Sequence, residues 1–246
     1  MKKLVFVIAL VAGVATATQA QYRPAGGEKS LEVNFAPLGG NPVSISGIKL
    51  RSFSSQESAF RLGLFIGVSN SKTITQDEDT NDDGEQIALE LADTDRSFSI
   101  AIQPGIERHL TGTDRLSPYL GGFVNIGYTS TTSITENQIE LGDVGDPNLS
   151  VGSSTSRGGT LNLGLNAVAG FDYYVAEHLY LGSEIGFGFA FNRDLVNKVE
   201  DVYAELNDAG DRYVERTEEN ESTVGNKSSW QIGPNVIAQL RLGWLF

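Results

Sequence analysis

From residue 229 to the end, every second position of SWQIGPNVIAQLRLGWLF is apolar: Trp230, Ile232, Pro234, Val236, Ala238, Leu240, Leu242, Trp244 and Phe246. Gln231, Gly233, Asn235, Gln239, Arg241 and Gly243 fall between them. A period of two is the pattern of a β-strand with one apolar face and one small or polar face. The run exceeds the usual strand of about 5–6 residues and is long enough to cross a bilayer, which takes about 9–11 tilted residues.

The same alternation predicts seven earlier strands, at 30–36, 43–53, 59–69, 96–110, 118–129, 160–174 and 179–192. In the third, Phe60, Leu62, Leu64, Ile66 and Val68 alternate with Arg61, Gly63, Phe65 and Gly67. Pro104-Gly105 predicts a bulge or kink within the fourth. Three connections are short turns, and three are long: 70–95, 130–159 and 193–228. Short and long connections alternate, except for the brief link between strands one and two. That parity belongs to a meander with tight turns at one end and long loops at the other. The expected fold is all-β: an eight-stranded antiparallel up-and-down transmembrane β-barrel with three long extracellular loops, both termini periplasmic.

Alternation alone leaves open which face is inside, because a soluble ligand-binding barrel would turn the apolar set inward. Here the polar series is rich in Gly, Asn, Gln and Ser and poor in the Lys and Glu that coat a solvated sheet. Tyr128, Tyr173, Phe191, Trp230, Trp244 and Phe246 stand near strand ends on the apolar face, as interfacial girdles do. Both features favour an apolar face turned to lipid.

Residues 1–20 read as an export signal: Lys2 and Lys3, an apolar run from 4 to 14, and Thr18-Gln19-Ala20 as the cleavage site. The remaining chain, 21–246, reads as one barrel domain, with no periplasmic domain expected beyond it. The formal charge of −13 excludes nucleic acid as a partner. The chain has no cysteine, so a disulfide framework, a thiolate metal site, a cysteine nucleophile and a lipoprotein anchor are excluded.

With the signal ending Thr18-Gln19-Ala20, the strand starts Pro118-Tyr119-Leu120-Gly121-Gly122 and Leu179-Tyr180-Leu181-Gly182, and the closing Leu240-Arg241-Leu242-Gly243-Trp244-Leu245-Phe246, the chain resembles the small outer-membrane β-barrel proteins of Gram-negative bacteria, OmpX-type in size. The resemblance implies a bacterial outer-membrane location and contact with outer-membrane lipid and lipopolysaccharide. It also implies that the barrel assembly machinery recognises the last strand with its terminal Phe. It leaves the role open among structural proteins, adhesins, small channels and lipid A enzymes.

Two sets of residues carry candidate chemistry. Residues 79–90, DTNDDGEQIALE, match a calcium-loop pattern. Asp79, Asn81 and Asp83 would be oxygen ligands, Gly84 the sharp turn, Glu85 a carbonyl ligand and Glu90 the bidentate closer. Gln86 stands where an apolar residue is usual and no helix precedes, so the competing reading is an acidic, solvated tip. Ca²⁺ is the single cofactor the sequence suggests. In the lumen, Lys49, Arg51, Arg61, Asp172, Glu184 and Arg241 fall on or near the polar series and must pair if buried. The expected network joins Arg61 and Arg241 to Glu184 and Asp172, bridged by Asn162, Asn166, Asn235 and Gln239. It would plug a lumen that eight strands leave just wide enough for side chains.

The two histidines, His109 and His178, fall at the short-turn end, away from where a lipid A deacylase or surface protease would need its base. They read as turn or interface residues, and no enzyme is expected. Two functions remain: a structural or surface-interaction barrel whose acidic loops meet cations or an extracellular partner, or a small passive channel or lateral route for small or apolar solutes.

Overall fold

All eight period-two segments form strands in the computed structural model, which describes residues 22–35, 43–80, 86–222 and 227–246. The export signal expected at 1–20 lies outside the described residues. The strands are β1 (Lys29–Phe35), β2 (Val43–Ser55), β3 (Ser58–Thr80), β4 (Gln86–His109), β5 (Leu116–Asp143), β6 (Asp146–Ala176), β7 (Leu179–Asp194), β8 (Asn197–Leu206), β9 (Arg212–Ser222) and β10 (Ser228–Leu245). They close into a ring of hydrogen bonds in the order β1-β10-β7-β6-β8-β9-β5-β4-β3-β2, and β5 also pairs directly with β6. All pairings are antiparallel. The last strand returns to the first, with Leu31 opposite Trp244 and Val33 opposite Leu242.

Ten strands therefore stand among the described residues where eight were expected, and all three long connections are largely strand rather than loop. The β3–β4 ladder continues to Thr80 opposite Gln86, and the β5–β6 ladder to Asp143 opposite Asp146. The apolar signal stops near Val68 and Tyr128, but hydrogen bonding continues through Ser- and Thr-rich sequence such as 129–135, whose β-branched residues suit a pleated surface. The third long segment folds back as the β8–β9 hairpin. β8 pairs with β6 from Ser153 to Arg157, and β9 meets β5 at Gly142 and Asp143. Pro104 interrupts the β4–β5 bonding without shifting it: Ile102 faces Ile126 and Gly105 faces Phe123 in one continuous register. A proline has no N–H to donate, so the bonds are lost while the pleat is kept.

The wall is inverted relative to a soluble protein. Phe60, Leu62, Leu64, Ile66 and Val68 on β3 are all exposed, as are their counterparts on β4 to β7 and β10. The buried set instead includes Glu32, Arg51, Arg61, Asp172 and Arg241. Charged residues are almost never fully buried unless paired, and monomeric soluble proteins rarely expose a continuous apolar band. The apolar stretch on β3 covers roughly 25–30 Å along the strand at about 3.3 Å per residue.

At the short-turn end, residues 22–28 lie across the barrel mouth. Gly27 N–H donates to the Phe53 carbonyl at 2.7 Å, Arg23 to the Leu110 carbonyl at 3.2 Å, and Arg115 to the Tyr22 hydroxyl at 3.0 Å. Pro24, between these anchors, is fully buried.

Candidate functional site

Because side chains alternate across a strand, one parity on each strand delivers its residues to the interior. β1 contributes Glu32, β2 Lys49 and Arg51, β3 Arg61, β4 Glu107, β5 Tyr119, β6 Asp172, β7 Tyr180 and Glu184, and β10 Arg241. They meet in one cluster near the short-turn end. Its buried charges are Lys49, Arg51, Arg61 and Arg241 against Glu32, Glu107, Asp172 and Glu184, so the cluster is formally neutral.

Arg51, with no exposed surface, is the hub. Its guanidinium reaches Glu32 at 2.7 Å, Asp172 at 2.8 Å and Glu107 at 2.9 Å. Its Nε donates to Ser30 at 3.3 Å, and the Tyr180 ring lies 5.0 Å from the cation. Arg61 grips Glu184 through two bonds of 2.7 and 3.1 Å and touches Glu107 at 3.1 Å. Arg241 donates to Glu32 at 2.8 Å and to the Tyr119 hydroxyl at 2.6 Å, and Tyr119 in turn donates to Glu184 at 2.5 Å. Lys49 stands between Glu32 at 3.4 Å and Glu184 at 3.5 Å. Such forked, charge-assisted bonds are the strong class of hydrogen bond.

Two glycines make room for this density. A Cβ at Gly182 would come within 2.7 Å of Asp172 Oδ1 and 2.8 Å of Arg241 Nη2. At Gly243 it would run into the Tyr180 ring.

Of the residues expected in the lumen, Arg61 meets Glu184 and Arg241 meets Asp172, the latter at 3.4 Å. Of the expected bridging amides, Asn162 takes a different place. Gln103 donates to Asn125 at 2.9 Å, Asn125 bonds Asn162 and Asn162 bonds Asn192, forming a chain further toward the long hairpins rather than a bridge between the charges. The side chains of Asn235 and Gln239 lie outside the described residues. Glu32, Glu107, Tyr119 and Tyr180 were missed from the network, although each sits on the inward parity of its strand. Glu107 lies past Pro104-Gly105, where a bulge would have shifted the alternation and the register shows no shift.

His109 is not a turn or interface residue: its side chain is buried inside the barrel. Nδ1 lies 2.8 Å from Ser117 Oγ and Nε2 lies 3.4 Å from Glu107 Oε2, with the ring between Phe53 and Tyr119. His178 is exposed in the β6–β7 turn beside Trp244.

For the calcium pattern, Asn81, Asp83 and Glu85 lie outside the described residues. Asp79 is on β3 opposite Ile87 and Glu90 on β4 opposite Gln76, three ladder steps apart. Among the described residues no group of three or more His, Asp or Glu is arranged to hold a metal ion.

Residues 39–200, about two thirds of the chain, match the family model described as "Putative OmpA-OmpF-like porin family". The chain belongs to the OmpA-OmpF-like porin family. Membership makes it an outer-membrane β-barrel protein, consistent with an apolar outer wall around a charged interior. The matched stretch includes Arg51, Arg61, Glu107, Asp172 and Glu184 of the cluster. No curated protein matches this porin-family chain.

Proposed function

We propose that this porin-family protein is an OmpX-type barrel whose membrane wall is the eight strands β1 to β7 and β10, closed to solutes and serving a structural or surface-interaction role. The observation that carries the reading is the neutral cluster of four cations and four carboxylates spanning the lumen, drawn from seven of those strands and bonded to Tyr119 of the eighth, β5. An eight-strand interior is just filled by side chains. A pore would need this network to part, and breaking a buried pair strands an uncompensated charge. The strap at 22–28 covers the same end.

In this reading the apolar band lies in the outer membrane against lipid and lipopolysaccharide. β10 is the strand offered to the assembly machinery, both termini are periplasmic, and the β3–β4, β5–β6 and β8–β9 hairpins stand outside the cell, where their carboxylates meet cations or a partner. The Ser117–His109–Glu107 row is structural in this account. Ser117 is fully buried, and Glu107 is shared with Arg51 and Arg61, so no substrate reaches the hydroxyl.

The test is conductance of the purified full chain in a planar bilayer. Silence at moderate voltage is expected, together with steps in a variant that removes Arg51, Arg61 and Arg241 at once. Reproducible single-channel steps from the unaltered protein would overturn the closed-lumen reading in favour of a small passive channel.

A further inference from the structure

The outward wall is not uniformly filled. One row of partners runs Phe60, Ile106, Gly122, Ala167 and Phe187 across β3 to β7. At its middle, Gly122 and Ala167 leave the surface low. A Cβ at Gly122 would meet only the Asn166 carbonyl, at 3.2 Å. The side chains on either side stand high, with Ile106 69% and Leu165 61% exposed. Together with Leu120 and Phe187 they line an open groove of about 1180 Å³. That is at or above the roughly 300–1,000 Å³ of ordinary small-molecule sites.

The groove runs to the short-turn end, where its lining includes Ser54, Ser58 and Arg108. Arg108 and Glu57 form an exposed ion pair there at 2.8 Å. An apolar trough that ends at one cation and one anion is complementary to an amphiphile with a chain and a zwitterionic head.

We propose that this groove is a fixed binding site for one phospholipid with an amine-bearing headgroup, its acyl chain over Gly122 and Ala167, its phosphate at Arg108 and its ammonium at Glu57. The site rests on the membrane reading above and deepens it. Lipid elsewhere along the belt exchanges over a convex surface, whereas this molecule lies between side-chain banks with its head held by two opposite charges.

The test reconstitutes the full chain in vesicles of mixed phosphatidylethanolamine and phosphatidylglycerol, with a photoreactive diazirine on the acyl chain of one lipid or the other. Cross-linked peptides are then read by mass spectrometry. The expected result is several-fold more phosphatidylethanolamine label around Ile106, Leu120 and Leu165 than around Leu31, Leu240 and Trp244, which are also exposed on the apolar wall. Ala167→Phe, which fills an already outward-facing position, should bring the groove down to the level of the rest while leaving the other side unchanged. Arg108→Ala with Glu57→Ala should abolish the preference over phosphatidylglycerol. Label spread evenly around the belt, or equal groove labelling by the two lipids in the unaltered protein, would overturn the site with the membrane reading intact. A belt without label anywhere would overturn the membrane reading itself.

Discussion

Arg51 shows how much depends on a single side chain in this interior. It has no exposed surface and is the common partner of Glu32, Glu107 and Asp172. Arg51→Met keeps the length and removes the charge, leaving carboxylates with too few cations. Loss of one partner of a buried pair costs about 3–5 kcal/mol, and a loss of that size is expected in urea unfolding of the reconstituted barrel. The exposed Arg108 is the control, because surface ion pairs contribute about 0–1 kcal/mol. A double-mutant cycle sharpens the contrast: Arg61→Met with Glu184→Gln should cost less than the sum of the single changes, with a coupling of about 0.5–3 kcal/mol. A result in which Arg51→Met unfolds at the same urea concentration as the unaltered protein would remove the cluster from the stability argument. Most of these residues were legible as inward-facing from parity alone. The Arg61–Glu184 and Arg241–Asp172 contacts were legible too, but the place of Arg51 was not, because its carboxylates come from β1, β4 and β6 and closure of the ring brings them to it.

At the scale of the element, alternation located eight of the ten strands, understated most of their lengths and missed β8 and β9. The reason is physical. A period-two apolar signal arises only where the two faces of a strand meet different surroundings, so it marks the apolar belt and falls silent where β3 to β6 continue beyond it. β8 and β9 carry charge on both faces, as in Lys198-Val199-Glu200-Asp201 and Glu218-Glu219, and read as loop for that reason. Their attachment is narrow: five pairs to β6 and two to β5. Replacing 197–222 by a short Gly-Ser linker should therefore leave the heat-resistant, compact form of the barrel on gels unchanged. It should also raise hydrogen exchange at 153–157, where the β6 edge loses its partner. Failure of the deleted protein to fold would instead make the hairpin part of the structural unit.

For the whole molecule, the apolar outer wall and the charged interior are one constraint seen from two sides. In the membrane reading the ring satisfies the backbone of the wall through its ladders, and the lumen pairs the charges it buries. The cluster, the strap and the groove all lie toward the short turns, and all extended hairpins project from the other end, so the molecule is polar along its axis and its direction in the membrane is testable. The absence of native cysteine makes single introduced thiols clean reporters. Val144→Cys sits in the exposed turn joining β5 to β6, and Gln56→Cys in the exposed turn joining β2 to β3. On intact cells a membrane-impermeant maleimide should label the first and spare the second, and permeabilising the outer membrane should make the two equal. The reverse pattern would invert the barrel and put the acidic hairpins in the periplasm. Equal labelling on intact cells would mean that the belt does not form a barrier, and the reading of the wall as membrane-spanning would fail with it.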